Sequence, residues 1–91
     1  MLKRVRAVVQ GRVQGVGFRC FTRDRAMTYG FTGWVRNLPD GSVEFEAQGE
    51  AEHLDAFLDE IKEGPGLAHV SDLTINELPV EERNEGFEIK L

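Results

Sequence analysis

Arginine suits a doubly charged, tetrahedral anion, because its guanidinium fork presents parallel N–H donors and keeps its charge. Arg19 closes the run GRVQGVGFR, residues 11–19, which also carries Gly11, Gly15 and Gly17. Successive backbone N–H groups in a tight glycine turn form a concave nest for anions. A helix N-terminus behind it adds unpaired N–H groups and the positive end of the helix dipole. The same residues also fit a plain strand-to-helix turn with a solvated arginine, and on the residues alone both readings stand. Asn37 ends a second run, FTGWVRN, residues 31–37. It shares a strand face with Val35, so its amide turns toward the core side and needs a partner. It either caps the turn that follows or orients a ligand or a water.

Several chemistries fail on spacing. No G-x-x-x-x-G-K-[ST] string is present, so there is no Walker A loop. GVGFRC opens like a dinucleotide fingerprint but places Cys20 where the third glycine belongs. A cysteine phosphatase needs an arginine six positions after its nucleophile; Ala26 stands there, and Arg25 falls one short. Cys20, His53 and His69 lack zinc-ligand spacing, and both histidines read as surface residues. No metal site is expected.

The elements that must position these residues follow from periodicity. Val5, Ala7 and Val9 alternate with Arg4, Arg6 and Val8, as in a half-buried strand. Phe18, Thr22, Ala26 and Tyr29 mark one face of a helix over about 19–29, with Gly30 as its stop. FTGWVRN is a second strand, with Trp34 on its other face. PDG, residues 39–41, is a hairpin turn. Val43, Phe45 and Ala47 face inward on a third strand. Leu54, Phe57, Leu58 and Ile61 define a second helix, ended by GPG at 64–66. LAHVSDLTINEL reads as a strand with Leu73 and Ile75 inward and an irregularity near Val70. Residues 79–86 form a polar loop, and FEIKL closes as a strand with Phe87, Ile89 and Leu91 inward.

This order predicts a ferredoxin-like α+β sandwich, βαββαβ, with an antiparallel sheet, two helices on one face and a short extra C-terminal strand. The first two strands run the same way with the third between them. Their C-terminal ends therefore meet at one sheet edge, about 10 Å apart at the backbone. That gap suits a small ligand between the glycine loop and Asn37.

Ninety-one residues suit a single domain, 1–91. Residues 1–36 carry eight Lys/Arg against one acidic residue, Asp24, whereas residues 37–91 carry three against fifteen. A basic end around the loop suits an anionic ligand, and the acidic remainder disfavours nucleic acid across the surface. No apolar run approaches the roughly 20 residues that span a bilayer. The start lacks a secretory leader pattern, and the lone Cys20 excludes an internal disulfide. A cytoplasmic, monomeric protein without membrane contact is expected.

Taken together, GRVQGVGFR, YGFTGWVRNLPDGSVEFEAQG, GPGLAHVSDLTI and GFEIKL resemble the acylphosphatase family, from about Val5 to Leu91. The resemblance implies a ferredoxin-like fold and hydrolysis of the carboxyl–phosphate bond of acyl phosphates, without metal or cofactor. It implies that Arg19 and Asn37 are catalytic. It also implies a phosphate-cradling loop of Gln14, Gly15, Val16, Gly17 and Phe18, completed by Arg19. Family members often end in an aromatic residue where this chain has Leu91, and Cys20 stands outside the family's catalytic set.

An acyl phosphate is a mixed anhydride whose carboxylate leaves without protonation. Positioning and charge stabilisation then suffice. Arg19 and the loop N–H groups would hold the phosphoryl oxygens, Asn37 the attacking water, and a substrate phosphate oxygen would take the proton. Two other functions share this fold. One is a non-catalytic phosphate- or carbamoyl-phosphate-binding module of the kind found in larger maturation enzymes, against which the short chain argues. The other is an RNA-binding ferredoxin-like domain, against which the acidic 37–91 segment and the missing K/R-G-F/Y aromatic motif argue.

Overall fold

The apolar positions of β1 (Leu2–Arg12) recur every second residue, so Val5, Ala7 and Val9 fall on one face and are buried. The structure is a computed structural model that describes residues 1–82 and 85–91. After β1 come α1 (Phe18–Thr28), β2 (Thr32–Asn37), β3 (Val43–Glu50), a 3₁₀ turn (Ala51–His53), α2 (Leu54–Glu63), β4 (His69–Leu78) and β5 (Phe87–Ile89). The strands form one sheet in the order β4-β1-β3-β2-β5. β3 pairs antiparallel with both β1 and β2, so those two share a direction and end at one edge, as expected.

Both helices cover one face. α1 buries Phe18, Thr22 and Ala26, spaced four apart, and α2 buries Phe57, Leu58 and Ile61. Fully burying the larger apolar ones, Phe18, Phe57, Leu58 and Ile61, is worth roughly 1.5–3 kcal/mol each. Phe57 joins the layers: its ring meets Phe31 edge-on at 4.9 Å between centroids and Phe45 at 5.7 Å. α1 closes as a Schellman turn at Gly30, with the Phe31 N–H donating to the Ala26 carbonyl at 2.8 Å and the Gly30 N–H to that of Met27.

Three expectations are refined. The terminal strand joins the sheet parallel to β2 (Gly33↔Phe87 to Val35↔Ile89), so the sheet is mixed rather than wholly antiparallel. Leu91 does not face inward; it is fully exposed, because the last tie to β2 is the Lys90 N–H on the Val35 carbonyl. Ile75 pairs with Ala7, but β4 is an edge strand and Ile75 remains 39% exposed. The irregularity near Val70 is a bulge: Gln10 pairs with Asp72 and Gly11 with Val70, which leaves Ser71 unpaired.

On the open face, Trp34 lies between Arg36 and Lys90, whose charges stand 5.2 and 4.7 Å from its ring centre. The polar loop expected at 79–86 includes residues 83 and 84, which lie outside the described residues. Before them, the Glu81 backbone is held by Gln48 through two 2.9 Å hydrogen bonds. From β4 at one edge the chain thus passes β3 on its way to β5 at the other.

Candidate active site

Between Arg12 and α1 the chain turns through residues 14–17. Gly15 and Gly17 take φ of 75° and 78°, left-handed values that cost other residues about 1–2 kcal/mol, while Val16 keeps a negative φ. This alternation of hand turns neighbouring peptide N–H groups toward a common centre. Gly17 is also the N-cap of α1 and offers no capping side chain; no acidic residue follows in the first turn. The first N–H groups of α1 therefore stay open to an external anion.

A cavity of about 140 Å³ lies here, lined by Val13, Gly15, Gly17, Phe18, Arg19, Cys20, Asn37 and Ile89. It is well below the roughly 300–1,000 Å³ of pockets that engulf drug-sized ligands, so it suits a small charged group whose remainder projects outward. A larger, shallower hollow of about 340 Å³ beside β4 is lined by Lys62 and residues 70–73, with no comparable set of donors.

The fold thus brings Arg19 and Asn37 together with Gly15, Gly17 and Phe18. The two remaining loop residues predicted for the site, Gln14 and Val16, do not line the cavity with their side chains. Val16 packs against the core, and Gln14 reaches the β2–β3 turn. The turn-cap role that Asn37 might have filled is taken by others. Asp40 Oδ1 accepts the Ser42 N–H at 2.9 Å and its hydroxyl, and Gln14 binds the turn's carbonyls. Those Ser42 bonds, the hydroxyl's first, hold the Asp40 carboxyl below its ordinary pKa. Among the described residues the Asn37 amide has no hydrogen-bond partner.

The basic half of the chain proves mostly neutralised. Arg4 pairs with Glu46 and Glu81, Arg6 and Arg36 with the buried Glu44, Arg23 with Asp24, and Arg25 with Glu60. Among the described residues Arg12 and Arg19 have no carboxylate partner. Positive charge at the cavity rests on Arg19, whose Nη1 donates to the Lys90 carbonyl at 3.5 Å. Cys20 is exposed on the cavity rim. The described residues hold no cluster of three or more His, Cys, Asp or Glu arranged to grip a metal ion.

Sequence reasoning missed Val13, Ile89, the Lys90 carbonyl and the side-chain role of Gln14. Ile89 and the Lys90 carbonyl depend on where the short β5 docks, which no periodicity states, and Val13 follows the last residue of β1, beyond its alternating pattern. Gln14 carried a signal: an amide between Val13 and Gly15, at a strand end, becomes half-buried and must find partners.

A βαββαβ sandwich that brings a glycine turn, a guanidinium without a carboxylate partner and an amide without a hydrogen-bond partner, among the described residues, to one sheet edge defines a small α+β domain suited to an anion. The acylphosphatase family profile matches residues 5–89. An acylphosphatase of Clostridium beijerinckii is 49% identical over 87 residues, 96% of this chain and 97% of the relative. One of Oceanobacillus iheyensis is 46% identical over 90 residues, 98% and 99% of the two chains. The crystal structure of acylphosphatase from Bacillus subtilis superposes with a TM-score of 0.94, at 38% identity and full coverage of both chains. The chain belongs to the acylphosphatase family, hydrolases of acyl phosphates.

Proposed function

We propose that water attacks the phosphorus of a bound acyl phosphate directly, in line with the bond to the carboxylate. The water oxygen bonds to phosphorus, the phosphorus–oxygen bond to the acyl group breaks, and the electron pair leaves with the carboxylate. Arg19, through its fork, and the N–H groups of Gln14, Gly15, Val16, Gly17 and Phe18 together hold the three phosphoryl oxygens. These donors are positioned before the reaction and aimed where charge gathers in the transition state. Asn37 orients the water. A carboxylate leaving group needs no acid, and a phosphoryl oxygen accepts the water's proton. No covalent intermediate, metal ion or cofactor takes part. Products are a carboxylate and inorganic phosphate.

The observation that carries this reading is that Arg19, without a carboxylate partner, and Asn37, whose amide has no hydrogen-bond partner among the described residues, line one cavity with the glycine turn. The chain acts as a single domain, 1–91, and as a monomer in the cytoplasm; no helix among its described residues is long and apolar enough to cross a membrane. Steady-state hydrolysis of benzoyl phosphate, with Arg19→Ala as control and with and without EDTA, tests the reading. Wild-type turnover unaffected by EDTA and lost in Arg19→Ala is expected. Activity lost in EDTA and restored by magnesium or zinc overturns the metal-free mechanism.

A further inference from the structure

Gln14 begins the glycine turn, yet its side chain leaves the cavity. Its Nε2 donates to the Leu38 carbonyl and to the Ser42 carbonyl, both at 2.8 Å. The opposite amide orientation would set Oε1 against two carbonyl oxygens, so the partners dictate which atom is nitrogen. Each carbonyl also accepts within the turn: Ser42 from the Leu38 N–H at 2.8 Å, and Leu38 from the Gly41 N–H at 3.1 Å. Asp40 ties Ser42 from the other side. The five-residue turn is thus a closed unit, and Gln14 plugs into it.

Leu38 follows Asn37 directly in the chain. The β1–β3 ladder ends at Val9↔Val43 and the β2–β3 ladder at Asn37↔Val43. Beyond those ends, among the described residues, the two Gln14 bonds are the hydrogen bonds that join residues 13–18 to the turn 38–42. One end of this link abuts Gly15 and the other sits one residue from Asn37. We propose that Gln14 is a positioning residue: its amide sets the separation and angle between the anion cradle and Asn37, and so aligns water with phosphorus. This rests on the acyl phosphate hydrolysis proposed above. In-line attack is steep in geometry, with a misplacement of about 1 Å costing on the order of 10²-fold in rate. Grip on the phosphoryl group depends instead on Arg19 and backbone N–H groups, which a Gln14 substitution keeps.

The test compares kcat on benzoyl phosphate with the inhibition constant of inorganic phosphate in Gln14→Ala and Gln14→Glu. Tyr29→Phe, at the far end of α1, serves as a destabilised control. For Gln14→Ala, kcat should fall about 10- to 100-fold while phosphate affinity changes by less than about threefold. In Gln14→Glu at neutral pH a carboxylate meets two carbonyl oxygens, and kcat should fall at least as far. As pH drops and that carboxyl protonates, it regains one donor, so kcat relative to wild type should recover. Tyr29→Phe should keep kcat. If Gln14→Ala does not fold, Gln14→Met keeps the length without the donors and repeats the comparison. Unchanged kcat in the Gln14 variants, or kcat and phosphate affinity lost in step, overturns the inference while wild-type activity stands. A wild-type chain inert on benzoyl phosphate overturns the reaction and this inference with it.

Discussion

Arg19, in the first turn of α1, and Asn37, the last residue of β2, line the same cavity although eighteen positions separate them in the chain. They reach it from elements on different layers, and their chemistry differs: one is a fixed cation, the other a neutral donor and acceptor. That difference separates their expected roles.

Replacing Arg19 should remove binding and turnover together. Arg19→Ala is expected to lower kcat/KM by about 10²- to 10³-fold or more, and to weaken inhibition by inorganic phosphate. Arg19→Lys should fail almost as badly, since a point charge lacks the two-pronged fork. Steady-state kinetics with phosphate as inhibitor checks both, and wild-type constants in either variant would refute the assignment of Arg19.

Asn37→Ala should behave differently. In the proposed mechanism it removes the amide that orients water and leaves the cradle intact, so kcat is expected to fall about 10²-fold with phosphate affinity nearly unchanged. Loss of phosphate binding in this variant would place Asn37 in the cradle instead.

Stability should fall in acid through two named carboxylates. The Tyr29 hydroxyl donates to one Glu60 oxygen, and Arg25 Nη1 to the other at 3.2 Å. The Tyr29 bond first, then Arg25, lowers the Glu60 pKa below its ordinary 4.5, and the Ser42 bonds lower Asp40 below 3.8. The unfolded chain therefore takes up these protons first as pH falls. The stabilisation is full above the unfolded values and is lost as pH drops from about 4.5 through the lower folded ones. Tyr29 is shifted the other way, raised above 10.0 mainly by the same Glu60 bond, so its contribution persists up to that pH and fades above it. Thermal melts against pH should show a falling acid limb, shallower in Tyr29→Phe. An unchanged limb in that variant would contradict the Tyr29–Glu60 clamp.

Phe57→Ala should be among the costliest single changes in α2. The ring is fully buried and meets Phe31 and Phe45 edge-on. Loss of about 3–5 kcal/mol is expected, a drop in Tm of roughly 12 °C or more, measured by denaturant titration and calorimetry.

How much of this was legible in the sequence depends on the kind of signal each residue carries. Strands such as β3 announce themselves by alternation, and α2 by its i, i+3, i+4, i+7 stripe, because burial of one face imposes those periods. The tight turn at Gly15 and Gly17 was legible because a left-handed backbone at fixed offsets calls for glycine, whereas the residues alone left open whether Arg19 beside it grips an anion. The closing strand was legible but its partner was not: three residues carry too little period to reveal parallel pairing with β2, and the exposure of Leu91 and the Arg19–Lys90 contact follow from that docking. The paired fates of Arg4, Arg6 and Arg36 were also hidden. Their partners Glu44 and Glu46 are neighbours only across strands, so a linear charge count overstated the free charge at the basic end.

The most direct measurement follows oxygen. Benzoyl phosphate hydrolysed by the wild-type chain in ¹⁸O-water should release phosphate carrying the label and benzoate carrying none, because water bonds to phosphorus and the original bridging oxygen departs with the carboxylate. Label in the benzoate would mean attack at the carbonyl carbon, and would contradict the assignment of Arg19 and Asn37 to a phosphoryl-transfer site.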